Sequence, residues 1–163
     1  INYLILLFCE KIMDEKYTAK MAELMKESET DIKINFLRLE EELPHNQNLI
    51  GKWMTYQQVY QTKYQFLELD HRIVVAEKTK YYTGKFSEDE ILARGWEVEG
   101  TKILKADLHV WTDSDLDIVK SKKNLLILKQ LIQLIDKTLD ILIDQKKWTI
   151  KNYIDYKKFI EGN

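Results

Sequence analysis

The chain has 163 residues, of which 45% are hydrophobic and 32% charged, with a formal net charge of −2. This balance excludes a disordered chain and a globally basic nucleic-acid binder, and the length suits one domain or a domain with appended helices. The 5 glycines and 1 proline favour long helices over a turn-rich sandwich or barrel, so we predict a mainly α-helical, extended subunit.

The one cysteine, Cys9, excludes an intramolecular disulfide and a zinc-binding cysteine set. We predict a reducing compartment and no cofactor or metal. The apolar stretch 1–8 is too short to span a bilayer and lacks the features of a signal peptide. Because Met13 resembles a natural start, we interpret residues 1–12 as a non-native leader or a helical extension.

Apolar residues at helical spacing predict a short amphipathic helix from Asp14 to Met25. Residues 31–36 alternate polar and apolar side chains, which predicts a short strand or an irregular extended segment. Pro44 then predicts a boundary at Leu43, since proline disfavours helix in the preceding residue. The region from Asp14 to Leu43 holds nine acids and five bases, and we predict that either this acidic region or the exposed face of the assembled protein contacts protein partners.

A long helix is predicted from Asn46 or Asn48 to about Tyr82. Its apolar stripe keeps spacings of three and four residues: Leu49, Trp53, Tyr56, Tyr60, Tyr64, Leu67, His71 and Val74. At 1.5 Å per residue such a helix is roughly 50 Å long, which suits an extended or assembled protein.

Ser87 and Glu90 have the spacing of a capping box, which predicts a short helix ending at Gly95. The stretch 96–112 lacks a helical period and is predicted to be irregular or extended. The acids of 113–117 resemble the start of a calcium loop. Ile118 stands where that loop needs glycine, so a helix cap is the favoured interpretation.

Residues 113–163 are predicted to form a helical oligomerisation region, distinct from an N-terminal region that spans residues 13–112. The oligomerisation seam alternates steps of three and four, as in a coiled coil: Leu125, Leu128, Ile132, Ile135, Leu139 and Leu142. A second stripe, interrupted at Thr138, runs beside it, which suits helical neighbours on two sides, as in a ring. A last helix is predicted from Thr149 to Ile160.

Catalytic motifs are missing from the sequence. It has 3 histidines and contains no nucleophile elbow, phosphate-binding loop or dinucleotide fingerprint. We therefore predict that the protein is not an enzyme.

The segment Lys78–Lys85 combines cations and adjacent aromatic rings without an acid. Single-stranded nucleic acid is held by cations on its phosphates and by aromatic rings under its bases. This predicts a DNA-binding site made by five residues: Lys78, Lys80, Tyr81, Tyr82 and Lys85. Residues 13–112 are therefore predicted to form the region that binds single-stranded DNA. The alternative is a solvated helix end with two half-buried tyrosines.

An ordered set of motifs resembles the UvsY family of phage recombination mediators. It comprises Tyr-Tyr-Thr-Gly-Lys at 81–85, Glu-Asp-Glu at 88–90, Arg-Gly-Trp at 94–96, the run 102–108, Asp-Ser-Asp at 113–115 and the run 150–155. The resemblance covers the chain from about Asp31 onward. It implies that Lys78 is the second of two basic DNA-binding positions, whereas the first is Ala76 here, and Lys80 can supply that charge.

The resemblance implies a homo-oligomer, in the form of a ring, that binds single-stranded DNA. It also implies that the protein helps a RecA-like recombinase to load onto DNA covered by single-strand-binding protein, in the cytoplasm of the infected bacterium. The competing hypothesis is a helical scaffold or adaptor with no nucleic-acid function, whose striped helices pair with partner helices.

Overall fold

A computed structural model describes residues 15–98 and 103–162. These residues form six α-helices and one π-helical segment: α1 (Glu15–Asp31), α2 (Leu39–Tyr82), α3 (Glu88–Ala93), α4 (Leu108–Ser114), α5 (Leu116–Asp140), the π segment Ile141–Lys146, and α6 (Lys147–Glu161). The described residues contain no strand, which confirms the mainly helical prediction. The leader proposed for residues 1–12 lies outside the described residues.

The described chain divides into two compact units. Unit 1 contains the described residues up to Lys63 together with those from Ile127 onward, and unit 2 contains Tyr64–Leu126. The predicted division between residues 112 and 113 separates DNA binding from oligomerisation, whereas these units are defined by internal contacts. The functional division therefore stays a prediction. Among the described residues, no helix is both long and apolar enough to cross a membrane.

Helix α2 begins earlier than the sequence predicted, and Pro44 lies inside it. The predicted boundary at Leu43 is therefore wrong. Pro44 and Glu40 are both exposed, so water can serve the Glu40 carbonyl that lacks its usual helical donor. Leu39 and Asn46 are buried on either side of the proline, and their packing keeps this part of the chain helical.

The core of unit 1 joins α1, the first part of α2, α5 and α6. Its fully buried apolar side chains are Leu24, Trp53, Leu128, Leu131, Ile135, Leu142 and Ile150. The indole Nε1 of Trp53 donates a hydrogen bond of 2.8 Å to Asp31 Oδ2, and Lys52 forms an ion pair with the same carboxylate. At the end of α1, the polar groups of Asp31, Lys52 and Trp53 at the margin of the core are therefore paired with one another.

The interruption of the second apolar stripe of α5 at Thr138 has a structural explanation. Its hydroxyl lies 2.7 Å from the hydroxyl of Ser28 on α1, and both residues are buried. A buried hydroxyl needs a hydrogen-bond partner, and each of these residues supplies one for the other. The interruption therefore belongs to the packing of unit 1.

The segment after α1 is irregular, which decides between the two predictions for residues 31–36. Residues 32–38 combine turns at 32 and 36–37 with irregular backbone between them, and the amide of Arg38 donates to the Asn35 carbonyl. The prediction of irregular structure across 96–112 is wrong for its last part, because residues 108–114 form helix α4. Seven residues with exposed side chains at several positions carry too little periodicity to predict such a helix.

Unit 2 has a small apolar interior. Of its described apolar side chains, only Ile118 and Leu125 are buried, at 6% and 9% exposure. The predicted capping box is confirmed, because Ser87 and Glu90 exchange both of its hydrogen bonds at the start of α3. The predicted cap of α5 is also confirmed: Asp115 Oδ1 accepts hydrogen bonds from the amides of Asp117 and Ile118.

Candidate nucleic-acid interface

The basic-aromatic segment lies at the C-terminal end of α2, where the helix closes in a Schellman turn. The Lys85 amide donates to the Lys80 carbonyl at 2.9 Å, and the Gly84 amide donates to the Tyr81 carbonyl at 3.0 Å. Gly84 has φ +64°, a conformation that glycine adopts without steric cost. The turn thus fixes Lys80 and Lys85 close together in space.

Lys78 points into unit 2 and is 7% exposed. Its Nζ lies 2.6 Å from Asp117 Oδ2, 3.2 Å from Asp115 Oδ2 and 4.3 Å from the centroid of the Trp96 ring. Burial by itself lowers the pKa of Lys78, but hydrogen bonds to the two carboxylates outweigh it and leave the pKa above its usual value. Lys78 is therefore a charged, enclosed residue in this conformation.

Tyr82 belongs to the same network. Its hydroxyl donates a hydrogen bond of 2.7 Å to Asp115 Oδ2, and burial together with this bond raises the pKa of Tyr82 well above its usual range. Burial would also raise the pKa of Asp115, but hydrogen bonds from Tyr82, the Ile118 amide and Lys78 lower it below the usual value. These contacts connect the end of α2 to the start of α5 within unit 2.

Tyr81 is half-buried, and its hydroxyl donates a hydrogen bond of 2.7 Å to the Glu97 carbonyl. Its ring lies 5.2 Å from Trp96 and 5.1 Å from Tyr82, between centroids. Edge and tilted contacts of this kind hold aromatic rings in fixed orientations. We call the packed rings of Tyr81, Tyr82 and Trp96 the aromatic wall of unit 2. Each of the two tyrosines keeps part of its surface exposed to solvent.

Lys80 and Lys85 are the exposed cations of the segment. Within the described ranges 15–98 and 103–162, neither ammonium forms an ion pair or a hydrogen bond. Both are available to an anion in solution. Ala76, which stands where the family resemblance implies a first basic residue, is also exposed, so this position offers space and no charge.

Three aromatic residues near the segment were missed as site candidates: Phe86, Trp96 and Trp111. Trp96 lies under Lys78 and beside Tyr81, whereas the Trp111 ring lies 6.1 Å from Tyr82 and is 47% exposed. The guanidinium of Arg94 lies 4.3 Å above the Phe86 ring. The two tryptophans, Trp96 and Trp111, are visible in the sequence shortly after the basic-aromatic segment. No periodic pattern in 96–112 indicated that they would pack against the end of α2.

The predicted oligomerisation seam lies mostly inside the subunit. Five of its six side chains are buried: Leu125, Leu128, Ile135, Leu139 and Leu142; Ile132 is half-buried. Buried side chains do not reach another copy while the subunit stays folded. The assembly role of the seam stays a prediction, and burial gives these residues a role in the subunit interior.

Helix α6 presents large apolar side chains to solvent. Trp148, Tyr153, Tyr156, Phe159 and Ile160 are 47–83% exposed. We call these five residues the α6 surface. A soluble subunit seldom exposes several large apolar side chains on one short helix unless a partner covers them.

Among the described residues, no three side chains of the His, Cys, Asp or Glu type cluster in a way that could hold a metal ion. The arrangement at the end of α2 offers two exposed ammonium groups, half-buried aromatic rings and a partly exposed indole. Ammonium groups bind phosphate, and aromatic faces stack on bases.

Comparison with known proteins identifies one family and one fold. The family model described as "Recombination, repair and ssDNA binding protein UvsY" matches residues 27–163. Crystal structures of the bacteriophage T4 recombination mediator protein UvsY share the fold. One, in lattice type II, has a TM-score of 0.73 at 20% identity and covers 86% of this chain and 96% of that chain.

A second T4 UvsY structure, in lattice type I, has a TM-score of 0.72 at 20% identity and covers 84% of this chain and 98% of that chain. No curated protein matches the sequence. The family match spans most of the chain and includes both α2 and α5. The chain belongs to the UvsY family of recombination, repair and single-stranded-DNA-binding proteins.

Proposed function

We propose that the protein is a recombination mediator that binds single-stranded DNA through the end of α2. The observation that carries this proposal is the Schellman turn, which presents Lys80 and Lys85 to solvent beside half-buried aromatic rings. Phosphates would lie on the two ammonium groups, and bases would lie against the rings. Membership of the UvsY family supports the same ligand.

The five predicted residues have different parts in this proposal. Lys80 and Lys85 contact phosphate directly, and Tyr81 and Tyr82 shape the aromatic wall. Lys78 holds that wall through its ion pairs with Asp115 and Asp117. Direct contact of Lys78 with phosphate would require the strand to displace Asp117, whose side chain is 58% exposed.

A site with two exposed cations, Lys80 and Lys85, binds a strand weakly, so the proposed function needs several copies. We propose a homo-oligomer, in the form of a ring, in which the α6 surface joins neighbouring subunits and the buried seam of α5 supports it from inside. Linked sites raise the effective concentration of the strand at each site without new contacts. A strand held by several subunits would be presented to the recombinase in an ordered form.

The partners in this proposal are a RecA-like recombinase, single-strand-binding protein and further copies of the chain, in the cytoplasm of an infected bacterium. The acid-rich region from Asp14 to Leu43 is the proposed protein-binding surface. No catalytic step is proposed. The protein acts by holding DNA and partners together.

The site is tested by changing both Lys80 and Lys85 to Ala and measuring the affinity for a fluorescent single-stranded oligonucleotide across salt concentrations. We expect weaker binding and a salt slope that falls by about 0.7 for each lost phosphate contact. A matched control changes Lys122 and Lys123, which are exposed on α5, to Ala. Equal losses in the two variants would contradict the assignment of the site to the end of α2.

A second candidate function, a scaffold that binds partner helices, is favoured by one observation. Phe66, Leu69 and Ile73 are 53–63% exposed and follow one face of α2. Such a stripe suits a partner helix. Failure of the wild-type protein to bind single strands at low salt, with its assembly intact, would favour the scaffold over the mediator.

A further inference from the structure

Trp111 is an exposed aromatic residue without an assigned role. It lies on α4 and is 47% exposed, although tryptophan is highly buried on average in folded proteins. Its ring lies 6.1 Å from the Tyr82 ring at an interplanar angle of 47°. Trp111 thus lies next to the Tyr82 ring on one side and remains largely exposed to solvent.

The neighbouring tyrosines have less freedom to receive a base. The Tyr82 hydroxyl is bonded to Asp115 and the Tyr81 hydroxyl to the Glu97 carbonyl. Both rings are half-buried and in contact with other aromatic rings. Trp111 is more exposed than either tyrosine, and its indole offers a larger surface for stacking.

Exposed cations follow, in sequence, both of the segments that meet at Tyr82, the residue whose ring lies next to Trp111. The Ile103 amide donates a hydrogen bond of 3.2 Å to the Tyr82 carbonyl, which brings the segment that leads into α4 to the end of α2. Lys105 follows Ile103 by two residues and Lys85 follows Tyr82 by three, and both are exposed. In the described part of the chain, neither ammonium has an ion-pair partner. The exposed Asp107 precedes Trp111 by one helical turn and limits the local positive charge.

We propose that Trp111 is a stacking platform for a nucleobase of the bound single strand, with Lys85 and Lys105 on the phosphates beside that base. This inference rests on the proposed function, since it names a contact of the same DNA. Stacking on an aromatic side chain tolerates every base because each base has a π face. The contact therefore adds affinity without sequence preference.

The test compares Trp111→Ala with Trp111→Phe, using a single-stranded oligonucleotide and an abasic strand of equal length. Trp111→Ala should weaken binding of the normal strand by roughly five- to hundredfold and Trp111→Phe by less, since phenylalanine keeps an aromatic face. Binding of the abasic strand should be equal in both variants and in the wild type. The salt slope should stay unchanged, because no ion pair is lost.

Val110→Ala is the matched control, since Val110 is the neighbouring residue on α4 and is 56% exposed. It removes exposed apolar surface without removing a ring and should bind both strands like the wild type. Sedimentation of Trp111→Ala should give the wild-type assembly. A changed assembly would overturn the inference, because Trp111 would then belong to a protein interface.

The outcomes separate this inference from the proposed function. If the wild type binds the normal strand and Trp111→Ala binds it equally well, the stacking role is overturned and the mediator stands. An equal loss of affinity for the normal and abasic strands would also overturn stacking, because an abasic strand offers no base. If the wild type binds neither strand at low salt, the proposed function itself fails.

Discussion

At the scale of single residues, Lys78 shows how burial changes the meaning of a basic side chain. In the sequence it is one of several cations before Tyr81. In the structure it is 7% exposed and paired with Asp115 and Asp117, whereas Lys80 two residues later is exposed and unpaired among the described residues. Two positions along a helix turn the side chain by about 200°, which separates the interior from solvent.

Replacing Lys78 with Met should therefore affect stability before it affects DNA binding. The change leaves the buried Asp115 carboxylate without its cation, and we expect a loss of about 2–3 kcal/mol in the free energy of unfolding. Chemical denaturation measures this loss, and Lys80→Met is the control that should stay close to the wild type. Wild-type stability combined with lost DNA binding would show instead that Lys78 contacts phosphate.

The Lys78, Tyr82 and Asp115 network also predicts how stability depends on pH. Folding raises the pKa of Tyr82 and of Lys78, so their stabilisation is complete below the unfolded values and is lost as pH rises through the folded ones. The free energy of unfolding should therefore fall above about pH 10. In Tyr82→Phe, which cannot ionise at this position, the fall should be shallower.

Asp115, the acid of the same network, makes stability depend on pH in the opposite direction. Folding lowers the pKa of Asp115, so its stabilisation is present above the unfolded value of about 4 and is lost as pH falls through the folded one. Denaturation curves across both pH ranges measure these effects. A Tyr82→Phe curve parallel to that of the wild type above pH 10 would contradict the role of Tyr82.

At the scale of elements, the predicted oligomerisation seam is mostly buried, whereas the α6 surface is exposed. The heptad-like spacing from Leu125 to Leu142 is real, but five of its six side chains are buried within the chain itself, whereas α6 carries five exposed large apolar side chains. Periodicity identifies which face of a helix is apolar. It does not say whether the same chain or another copy covers that face.

Substitutions by Asp should separate these two roles. Ile135 is fully buried, so Ile135→Asp buries a carboxylate without a partner and should unfold the subunit. Phe159 is 83% exposed, so Phe159→Asp should keep the helical content while it weakens assembly. Circular dichroism and sedimentation measure the two effects. A wild-type oligomer in Phe159→Asp would contradict the assembly role of the α6 surface.

At the scale of the whole molecule, the proposed mediator depends on repetition of a weak site. The net charge is −2, and the exposed cations at the end of α2 are few. Linked sites convert later contacts into intramolecular ones, which raises the affinity for a strand long enough to reach several copies. The dependence of affinity on strand length therefore indicates whether the subunits are assembled.

We expect affinity to rise steeply with oligonucleotide length for the wild type and only weakly for Phe159→Asp. The physical reason is that a dissociated subunit offers one site whatever the length of the strand. Fluorescence anisotropy with a series of oligonucleotides measures this dependence. Equal length dependence in both proteins would show that avidity does not come from the α6 surface.

The sequence by itself determined the helical class, the capping box at Ser87, the helix cap at Asp115 and the family. These features depend on residues close together in the chain, or on motifs in a fixed order, so local chemistry is enough to find them. Pro44 and the stretch 108–114 were misread, because packing outweighs local preference in one case and a short helix has little periodicity in the other.

Only the tertiary structure decided which of the predicted site residues face solvent. It placed Lys78 between two carboxylates, left Lys80 and Lys85 exposed, and brought Trp111 against Tyr82. Asp115 and Asp117 lie more than 35 residues beyond Lys78, so no local pattern connects these charges. Burial and pairing arise from contacts between distant parts of the chain, and these contacts divide the cations into buried, paired ones and ones exposed to solvent.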